Sequence, residues 1–207
     1  YEGLRKNFEA LSLASVFNEL MLRLAPDREA ANDLFKLHAN ALAALEELSE
    51  SELTTRSTLA LLNSYLGKLL QWNGTQPRLL RCFGCEKSIL DFSGETRLRC
   101  HISMAAWTCP ECRNIKPDTA DDYAPGFQHR FFEATQTALG DFYLGLTTPI
   151  RKIPETLAGD EEDQKLLFRL LESLLIYHVP GFDRAPLKGL KFIPGAGSLI
   201  SESSLSI

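Results

Sequence analysis

Two pairs of cysteines are the residues of this chain whose type and spacing are best suited to chemistry. Cys82 and Cys85 bracket two residues, as do Cys109 and Cys112, and 23 residues separate the pairs. Each short gap folds into a knuckle that points both sulfurs inward, so two pairs can surround one Zn²⁺ tetrahedrally. We therefore predict a zinc ion bound by all four. Because four protein ligands leave no open position for water, this metal is expected to stabilise the fold without catalysing a reaction.

A redox pair and a disulfide are the alternatives for these cysteines. The chain has five cysteines, an odd number, and no signal peptide at its start. This combination favours a reducing compartment and metal ligation over disulfides. The fifth, Cys100, lies beside His101 and outside both pairs. It could be an alternate zinc ligand or a reactive thiol, but we predict a buried strand residue because unpaired cysteine is among the most buried residue types.

The charge distribution bears on nucleic-acid binding. A formal net charge of −5 argues against a chain that binds nucleic acid over its whole surface. Residues 78–118 contain seven basic and five acidic residues, a balance of +2, which leaves −7 for the rest. We predict an accessory phosphate-contacting surface in this segment, formed by Arg78, Arg81, Arg97, Arg99 and Arg113. The alternative is that they are ordinary solvated side chains around a small metal site.

Apolar residues recur at spacings of three and four along most of the chain, a pattern that predicts helices. The predicted helices cover residues 3–25, 32–48, 59–72, 127–146 and 166–177. Between the cysteine pairs an alternating pattern predicts two or three short strands, with apolar positions at Ile89, Phe92, Leu98, Ile102 and Trp107. Since helices joined by short loops pack as antiparallel neighbours, we predict a mainly α fold: a helical bundle with an inserted four-cysteine zinc ribbon.

These patterns divide the chain into four segments. Residues 1–77 form the first part of the bundle, 78–116 the zinc-ribbon insertion, 117–192 the second part of the bundle, and 193–207 a flexible tail. Hydrophobic residues make up 44% of the chain, enough to build a core. No run of about 18 apolar residues occurs, so no segment is predicted to span a membrane.

Three stretches around the cysteines carry a family resemblance. The first is the opening helix, from Tyr1-Glu2-Gly3-Leu4-Arg5 to Glu19-Leu20. The second is the approach to the first knuckle through Gly74, Pro77 and Leu80-Arg81-Cys82. The third is Tyr177-His178 with Leu187-Lys188-Gly189-Leu190-Lys191-Phe192. In this order they resemble the C-terminal region of RecO, a family of bacterial recombination mediators.

The resemblance implies a non-enzymatic role in DNA repair and recombination. Family members bind single- and double-stranded DNA, anneal strands, and work with RecR to replace single-strand-binding protein by RecA. It also implies a bacterial cytoplasmic, nucleoid-associated protein with an N-terminal oligonucleotide-binding barrel, which is not part of this sequence. Such work needs phosphate contacts and partner surfaces rather than a nucleophile. The alternatives are a stand-alone zinc-ribbon adaptor between proteins and a hydrolase that uses His101 or Cys100 at an open zinc position.

The resemblance further implies a peptide site, because the helical domain of the family is expected to hold the acidic C-terminal tail of single-strand-binding protein. Such a ligand requires an apolar groove with cations at its mouth. The opening helix and the closing motif offer apolar residues at Leu4, Phe8, Leu187 and Phe192. The candidate cations are Arg5, Lys6, Arg184, Lys188 and Lys191. In the alternative, these apolar residues are core and the cations extend over them into solvent.

Overall fold

The computed structural model describes residues 2–24, 32–50, 53–114, 131–180, 182 and 187–193. Within this part the chain is mainly α with a small sheet, which confirms the predicted class, a helical bundle with an inserted four-cysteine ribbon. The helices are α1 (Glu2–Lys6), α2 (Phe8–Leu24), α3 (Asn32–Ser49), α4 (Thr55–Trp72), α5 (Gln136–Thr147), α6 (Ile153–Thr156) and α7 (Glu161–His178). The strands are β1 (Arg97–His101), β2 (Ala106–Thr108) and β3 (Phe131–Thr135).

Helix α4 forms the centre of the bundle and packs against α3, α5 and α7. Its first turn is held by a reciprocal cap in which the Ser57 backbone N–H donates to Thr54 Oγ1 (3.1 Å) and the Thr54 N–H donates to Ser57 Oγ (3.0 Å). Both bonds satisfy donors that a helix start leaves unpaired. The helix ends before Gly74, whose φ of 90° suits a residue without a Cβ.

The opening helix differs from the prediction, because it is two helices and not one. The Asn7 side-chain oxygen accepts hydrogen bonds from the N–H groups of Glu9 (3.0 Å) and Ala10 (3.1 Å), so Asn7 starts α2 as an N-cap. Helix α1 is tied to α3 by the Gly3 N–H, which donates to Glu46 Oε1 (2.8 Å). Apolar spacing continues through the break and therefore did not reveal it.

The ribbon contains an antiparallel sheet in the order β2-β1-β3. Two expectations were wrong here. Residues 131–135 were predicted as helix but form β3, because Phe132 pairs with Cys100, Ala134 pairs with Leu98, and the helix begins only at Gln136. Ile89 and Phe92 were expected in strands, but the structure has a short 3₁₀ turn, Ile89–Asp91, capped by Ser88.

A closing turn, Lys188–Phe192, packs against α2. A Cβ on Gly189 would lie 2.6 Å from a methyl of Val16 and 2.8 Å from the Ser12 carbonyl oxygen, so only glycine permits this approach. The Lys188 N–H donates to Glu19 Oε2 (2.8 Å). Ile193, predicted as the first residue of the tail, is buried; residues 194–207 lie outside the described part. Among the described helices, none is long and apolar enough to cross a membrane.

His38 joins three helices of the bundle. Its Nδ1 lies 3.0 Å from the Tyr65 hydroxyl on α4, and its Nε2 lies 3.1 Å from Asn18 Oδ1 on α2. Since an amide oxygen only accepts, Nε2 carries the proton and Nδ1 accepts from Tyr65. Partial burial lowers the pKa of His38 below its ordinary value, because burial disfavours the charged imidazolium.

The lowered pKa of His38 predicts a loss of stability in acid. Below its ordinary pKa the unfolded chain protonates His38 while the folded chain does not, so the free energy of unfolding falls as the pH falls. We expect the urea midpoint to drop further between pH 7.5 and pH 5 for the native chain than for His38→Gln, which cannot titrate. Equal drops for the two proteins would contradict this role of His38.

Candidate metal centre and binding surfaces

The four knuckle cysteines meet at one point of the ribbon. Their Sγ atoms all lie within 4.8 Å of one another, and those of Cys85 and Cys109 are 3.7 Å apart. A tetrahedral zinc site with Zn–S bonds of about 2.3 Å has sulfur–sulfur distances of about 3.8 Å. All four are free thiols. The donor set and its size therefore fit a tetrahedrally bound Zn²⁺, and such an ion would join the two knuckles into one unit.

Backbone hydrogen bonds shape each knuckle. In the first, the Glu86 N–H donates to the Cys82 carbonyl (3.0 Å) and the Cys82 N–H donates to the Lys87 carbonyl (2.9 Å). In the second, the Cys112 N–H donates to the Cys109 carbonyl (3.0 Å), and Pro110 starts this turn with its φ already restricted. On the outer surface Lys87 Nζ and Glu111 Oε2 lie 2.6 Å apart, so an ion pair also links the two knuckles.

The electrostatics of the cluster favour a bound cation. Burial alone would raise the pKa of Cys82, but N–H groups of Cys109, Cys85 and Gly84 point at its sulfur and lower the pKa to about 7. Desolvation raises the pKa of Cys112 to about 12, together with hydrogen bonds that its thiol donates to the neighbouring sulfurs. One sulfur is thus prepared as a thiolate while its neighbour resists ionisation, since adjacent thiolates repel. A divalent cation removes that repulsion.

Trp107 connects the metal centre to the core. It is fully buried, and its Nε1–H donates to the Leu79 carbonyl (2.8 Å). Its own carbonyl accepts from the Phe83 N–H (2.8 Å), inside the first knuckle. On the bundle side, His178 at the end of α7 donates from Nε2 to the Ile102 carbonyl (2.7 Å). The ribbon is therefore anchored both to α7 and to the segment that follows α4.

Cys100 and His101 do not join the four-cysteine cluster. Cys100 is only 4% exposed on β1, and burial raises the pKa of its thiol far above the ordinary value. Such a thiol is unreactive. His101 is also buried, with Nε2 3.0 Å from Thr108 Oγ1. Cys100 is thus the predicted buried strand residue, and the hydrolase hypothesis loses the two accessible groups that it required.

Two of the five candidate DNA-binding arginines share one carboxylate. Arg99 Nε lies 3.3 Å and Arg113 Nη2 lies 2.8 Å from the oxygens of Glu133 on β3. Arg99 also donates to the Arg113 carbonyl (3.0 Å) and stacks 4.1 Å from the centre of the Phe131 ring. Glu133 was missed because residues 131–135 were interpreted as helix. Phe131, Glu133 and Thr135 are spaced by two residues, which would place them on one face of a strand. This spacing was the available signal.

The other three candidate arginines are exposed. Arg78 is 3.4 Å from Glu86 Oε1. Arg81 donates to the Glu86 carbonyl (3.1 Å), a contact that does not neutralise its charge. Arg97 is exposed on β1, and within the described residues no acidic side chain pairs with it. Arg81 and Arg97 are therefore the candidates whose charge stays available for phosphate.

Counting the metal centre changes the charge balance of the ribbon. The described residues 78–114 contain six basic and four acidic side chains, an excess of two positive charges. Four thiolates around one Zn²⁺ leave two uncompensated negative charges, which cancel that excess. The +2 obtained from side chains alone therefore overstates how basic a zinc-loaded ribbon would be.

The opening helices and the closing turn meet at an exposed aromatic pair. The rings of Phe8 and Phe192 lie 5.5 Å apart, edge to face, and are 64% and 47% exposed. Lys191 Nζ lies 4.7 Å from the centre of the Phe192 ring. Leu4 and Leu187 are buried, so these two belong to the core, as the alternative interpretation held.

Three further candidate cations, Arg5, Lys6 and Lys188, are exposed. Arg5 and Lys6 end α1, immediately before Phe8, and Lys188 begins the closing turn. Among the described residues none of the three is ion-paired. Arg184 lies outside the described residues. Leu11, one turn after Phe8 on α2, is also exposed; its helical spacing from Phe8 was the signal that it belonged with this surface.

The metal centre predicts a clear contrast between Cys82 and Cys100. Native protein should contain one zinc per chain, Cys100→Ala should retain it, and Cys82→Ser should lose it because a hydroxyl is a poor zinc ligand. Colorimetric zinc determination after gel filtration measures this, and fluorescence of the buried Trp107 reports loosening of the ribbon. Zinc retained in full by Cys82→Ser would contradict the four-cysteine site.

A family model described as "Recombination protein O C terminal" matches residues 5–139. The match begins in α1, includes both knuckles and the whole sheet, and ends in the first turn of α5. No curated protein and no solved structure matches the chain. The matched region is about two thirds of the sequence and contains the metal centre. The chain therefore belongs to the RecO C-terminal family, whose general role is in DNA recombination and repair.

Proposed function

We propose that this chain is the zinc-bearing, partner-binding scaffold of a RecO-like recombination mediator that performs no catalysis. In the full activity implied by the family resemblance, the mediator binds and anneals DNA in the bacterial cytoplasm. With RecR it replaces single-strand-binding protein by RecA. The contribution assigned to this chain is to hold the acidic C-terminal tail of single-strand-binding protein. The observation that carries this assignment is the exposed contact between Phe8 and Phe192, with Lys191 Nζ 4.7 Å from the centre of the Phe192 ring.

The chemistry of this surface suits that ligand. An aromatic residue of a peptide can pack edge to face against the exposed Phe8 and Phe192 rings. Lys188 and Lys191 on the closing turn, and Arg5 and Lys6 on α1, are exposed and can pair with acidic residues of the peptide. Gly189, packed against α2, keeps the closing turn in place. Both halves of the proposed site thus stand on a packed core, which lowers the entropic cost of binding.

DNA contact by the ribbon is proposed as an accessory activity of Arg81 and Arg97. Arg99 and Arg113 instead pair with Glu133 and maintain the shape of the ribbon. A zinc-loaded ribbon with no excess positive charge would bind single strands weakly and with a small salt dependence. Strong DNA binding is assigned to the oligonucleotide-binding barrel that the family resemblance implies.

A stand-alone zinc-ribbon adaptor that contacts only proteins is the second candidate. The charge balance of the metal-loaded ribbon favours it, because a neutral surface has no electrostatic preference for nucleic acid. The two candidates differ in one measurable property. A mediator scaffold retains salt-sensitive affinity for a single-stranded oligonucleotide at low salt, and an adaptor has none.

The peptide site predicts that Lys188→Glu/Lys191→Glu loses affinity for a labelled acidic tail peptide. Exposed ion pairs contribute about 0.2–1 kcal/mol each, and reversal adds repulsion, so we expect the affinity to fall at least about tenfold. Fluorescence anisotropy measures the affinity, and zinc content with circular dichroism shows that the variant is folded. Unchanged affinity in a folded variant would refute the site.

The DNA surface predicts the converse result for Arg81→Glu/Arg97→Glu, which changes the net charge of the chain equally. Affinity for a single-stranded oligonucleotide should fall at low salt. The slope of log affinity against log salt should flatten by about 1.4, for two lost phosphate contacts at about 0.7 each. Each double variant is the control for the other, since each should retain the ligand that the other loses. An unchanged salt slope would remove the ribbon from DNA binding.

A further inference from the structure

Helix α2 exposes one narrow stripe along its whole length. The exposed residues are Phe8, Leu11, Ser15, Asn18 and Leu22, which are spaced by three, four, three and four residues and therefore share one face. Three of the five are large and apolar, and Leu22 is 85% exposed. From Phe8 to Leu22 the stripe is about 21 Å long at 1.5 Å per residue. We call this face the α2 stripe.

Neighbouring elements flank the α2 stripe on both sides. The closing turn lies on one side, where Gly189 approaches Val16 and the Lys188 N–H donates to Glu19. Helix α3 lies on the other side, where His38 contacts Asn18 at 3.1 Å. Positions 16 and 19 fall on the opposite side of the stripe from positions 14 and 21, so the exposed residues project between the closing turn and α3.

Phe35 extends the apolar surface at the far end. Helices α1 and α2 together run antiparallel to α3, because Gly3 on α1 contacts Glu46 while Asn18 on α2 contacts His38. One turn beyond Asn18 is Leu22, and one turn before His38 is Phe35. Phe35 is 67% exposed. Each end of the α2 stripe therefore has a large apolar side chain from a neighbouring element beside it, Phe192 at one end and Phe35 at the other.

We infer that the α2 stripe is a docking site for an amphipathic helix of a partner protein, with the acidic end of that helix over Arg5, Lys6 and Lys191. The exposed residues of the α2 stripe have the three-and-four spacing that complements one face of an α-helix. The length of the stripe accommodates about four helical turns, far more than a short tail peptide needs. This inference rests on the proposed function for its basic end alone.

Charge complementarity favours a foreign helix over a second copy of this chain. In a parallel pairing of two copies Arg5, Lys6 and Lys191 would face the same three cations of the other copy. In an antiparallel pairing they would face the Leu22 end, where the described carboxylates are already engaged. There Asp33 lies 3.6 Å from Lys36, and Glu19 binds Arg23 at 2.6 Å. A partner that brings its own unpaired acidic residues satisfies the cations.

The test uses two labelled helical peptides of about 16 residues, long enough to span the α2 stripe. Both carry leucines at three-and-four spacing; one has glutamates at one end, and the other has lysines there. By anisotropy, the native chain should bind the glutamate peptide at least about tenfold more tightly than the lysine peptide. Leu22→Glu/Phe35→Glu should weaken binding of the glutamate peptide at least about tenfold, because it removes the apolar contacts of the far end.

The matched control is Leu80→Glu/Leu90→Glu, which adds the same charge at two exposed leucines of the ribbon and should leave binding unchanged. Full affinity of Leu22→Glu/Phe35→Glu for the glutamate peptide would overturn the inference, as would an equal loss in the control. A concentration-dependent dimer that Leu22→Glu/Phe35→Glu dissolves would overturn it in favour of a second copy. The short acidic tail peptide separates the two proposals, since its failure with a bound helical peptide would refute only the proposed function.

Discussion

Burial of α4 on nearly every side is the constraint on which the rest of the bundle depends. A helix in that position is stabilised where its polar side chains form hydrogen bonds within the protein, although Thr58 Oγ1, Asn63 Oδ1 and Ser64 Oγ have no such partner among the described residues. Asn63 Nδ2 donates to the Gln164 carbonyl on α7 (2.8 Å), and Gln164 Nε2 donates to Asp141 Oδ2 on α5 (2.6 Å). These bonds join the three helices in a fixed register. Gly67 lets α5 come close, since a Cβ there would lie 3.2 Å from the Phe142 ring.

Asp141 extends the same network to the loop before α7. Its carboxylate accepts hydrogen bonds from the N–H groups of Ala158 (3.0 Å) and Gly159 (2.9 Å). Arg56 on α4 donates to the Gly159 carbonyl (2.7 Å). Burial raises the pKa of Asp141, while these backbone donors oppose the rise. A carboxylate in this position connects α4, α5 and α7 through directional bonds, where apolar packing alone would leave their register less well defined.

The ribbon depends on the bundle in one respect and on its metal centre in another. It is inserted between α4 and α5, two helices that pack together, so the chain leaves and re-enters the bundle at one place. Its interior is small, and Trp107 is the largest side chain in it. A bound Zn²⁺ would supply much of the stability of a segment of this size. The four thiolates that bind such an ion would also supply the negative charge that offsets the arginines, so zinc binding would couple the folding of the ribbon to its surface charge.

Features that repeat at short range were predictable from the chain itself. The two knuckles follow from the spacing of Cys82, Cys85, Cys109 and Cys112, and α3, α4 and α7 follow from apolar periodicity. The break at Asn7 and the strand at Phe131–Thr135 did not follow. The N-cap at Asn7 interrupts the helical backbone without interrupting the apolar periodicity. Phe131 and Phe132 fit a helical period, and only pairing with β1 makes this segment a strand.

The sequence by itself determined which four cysteines cluster as a candidate metal centre and the helical class, because both depend on local spacing. Only the tertiary structure decided which charges remain available. Glu133 approaches Arg99 and Arg113 only when β3 pairs with β1, and Phe192 reaches Phe8 only when the closing turn packs on α2. The physical reason is that ion pairs and aromatic contacts between distant residues are set by how elements pack, and no local pattern encodes that distance.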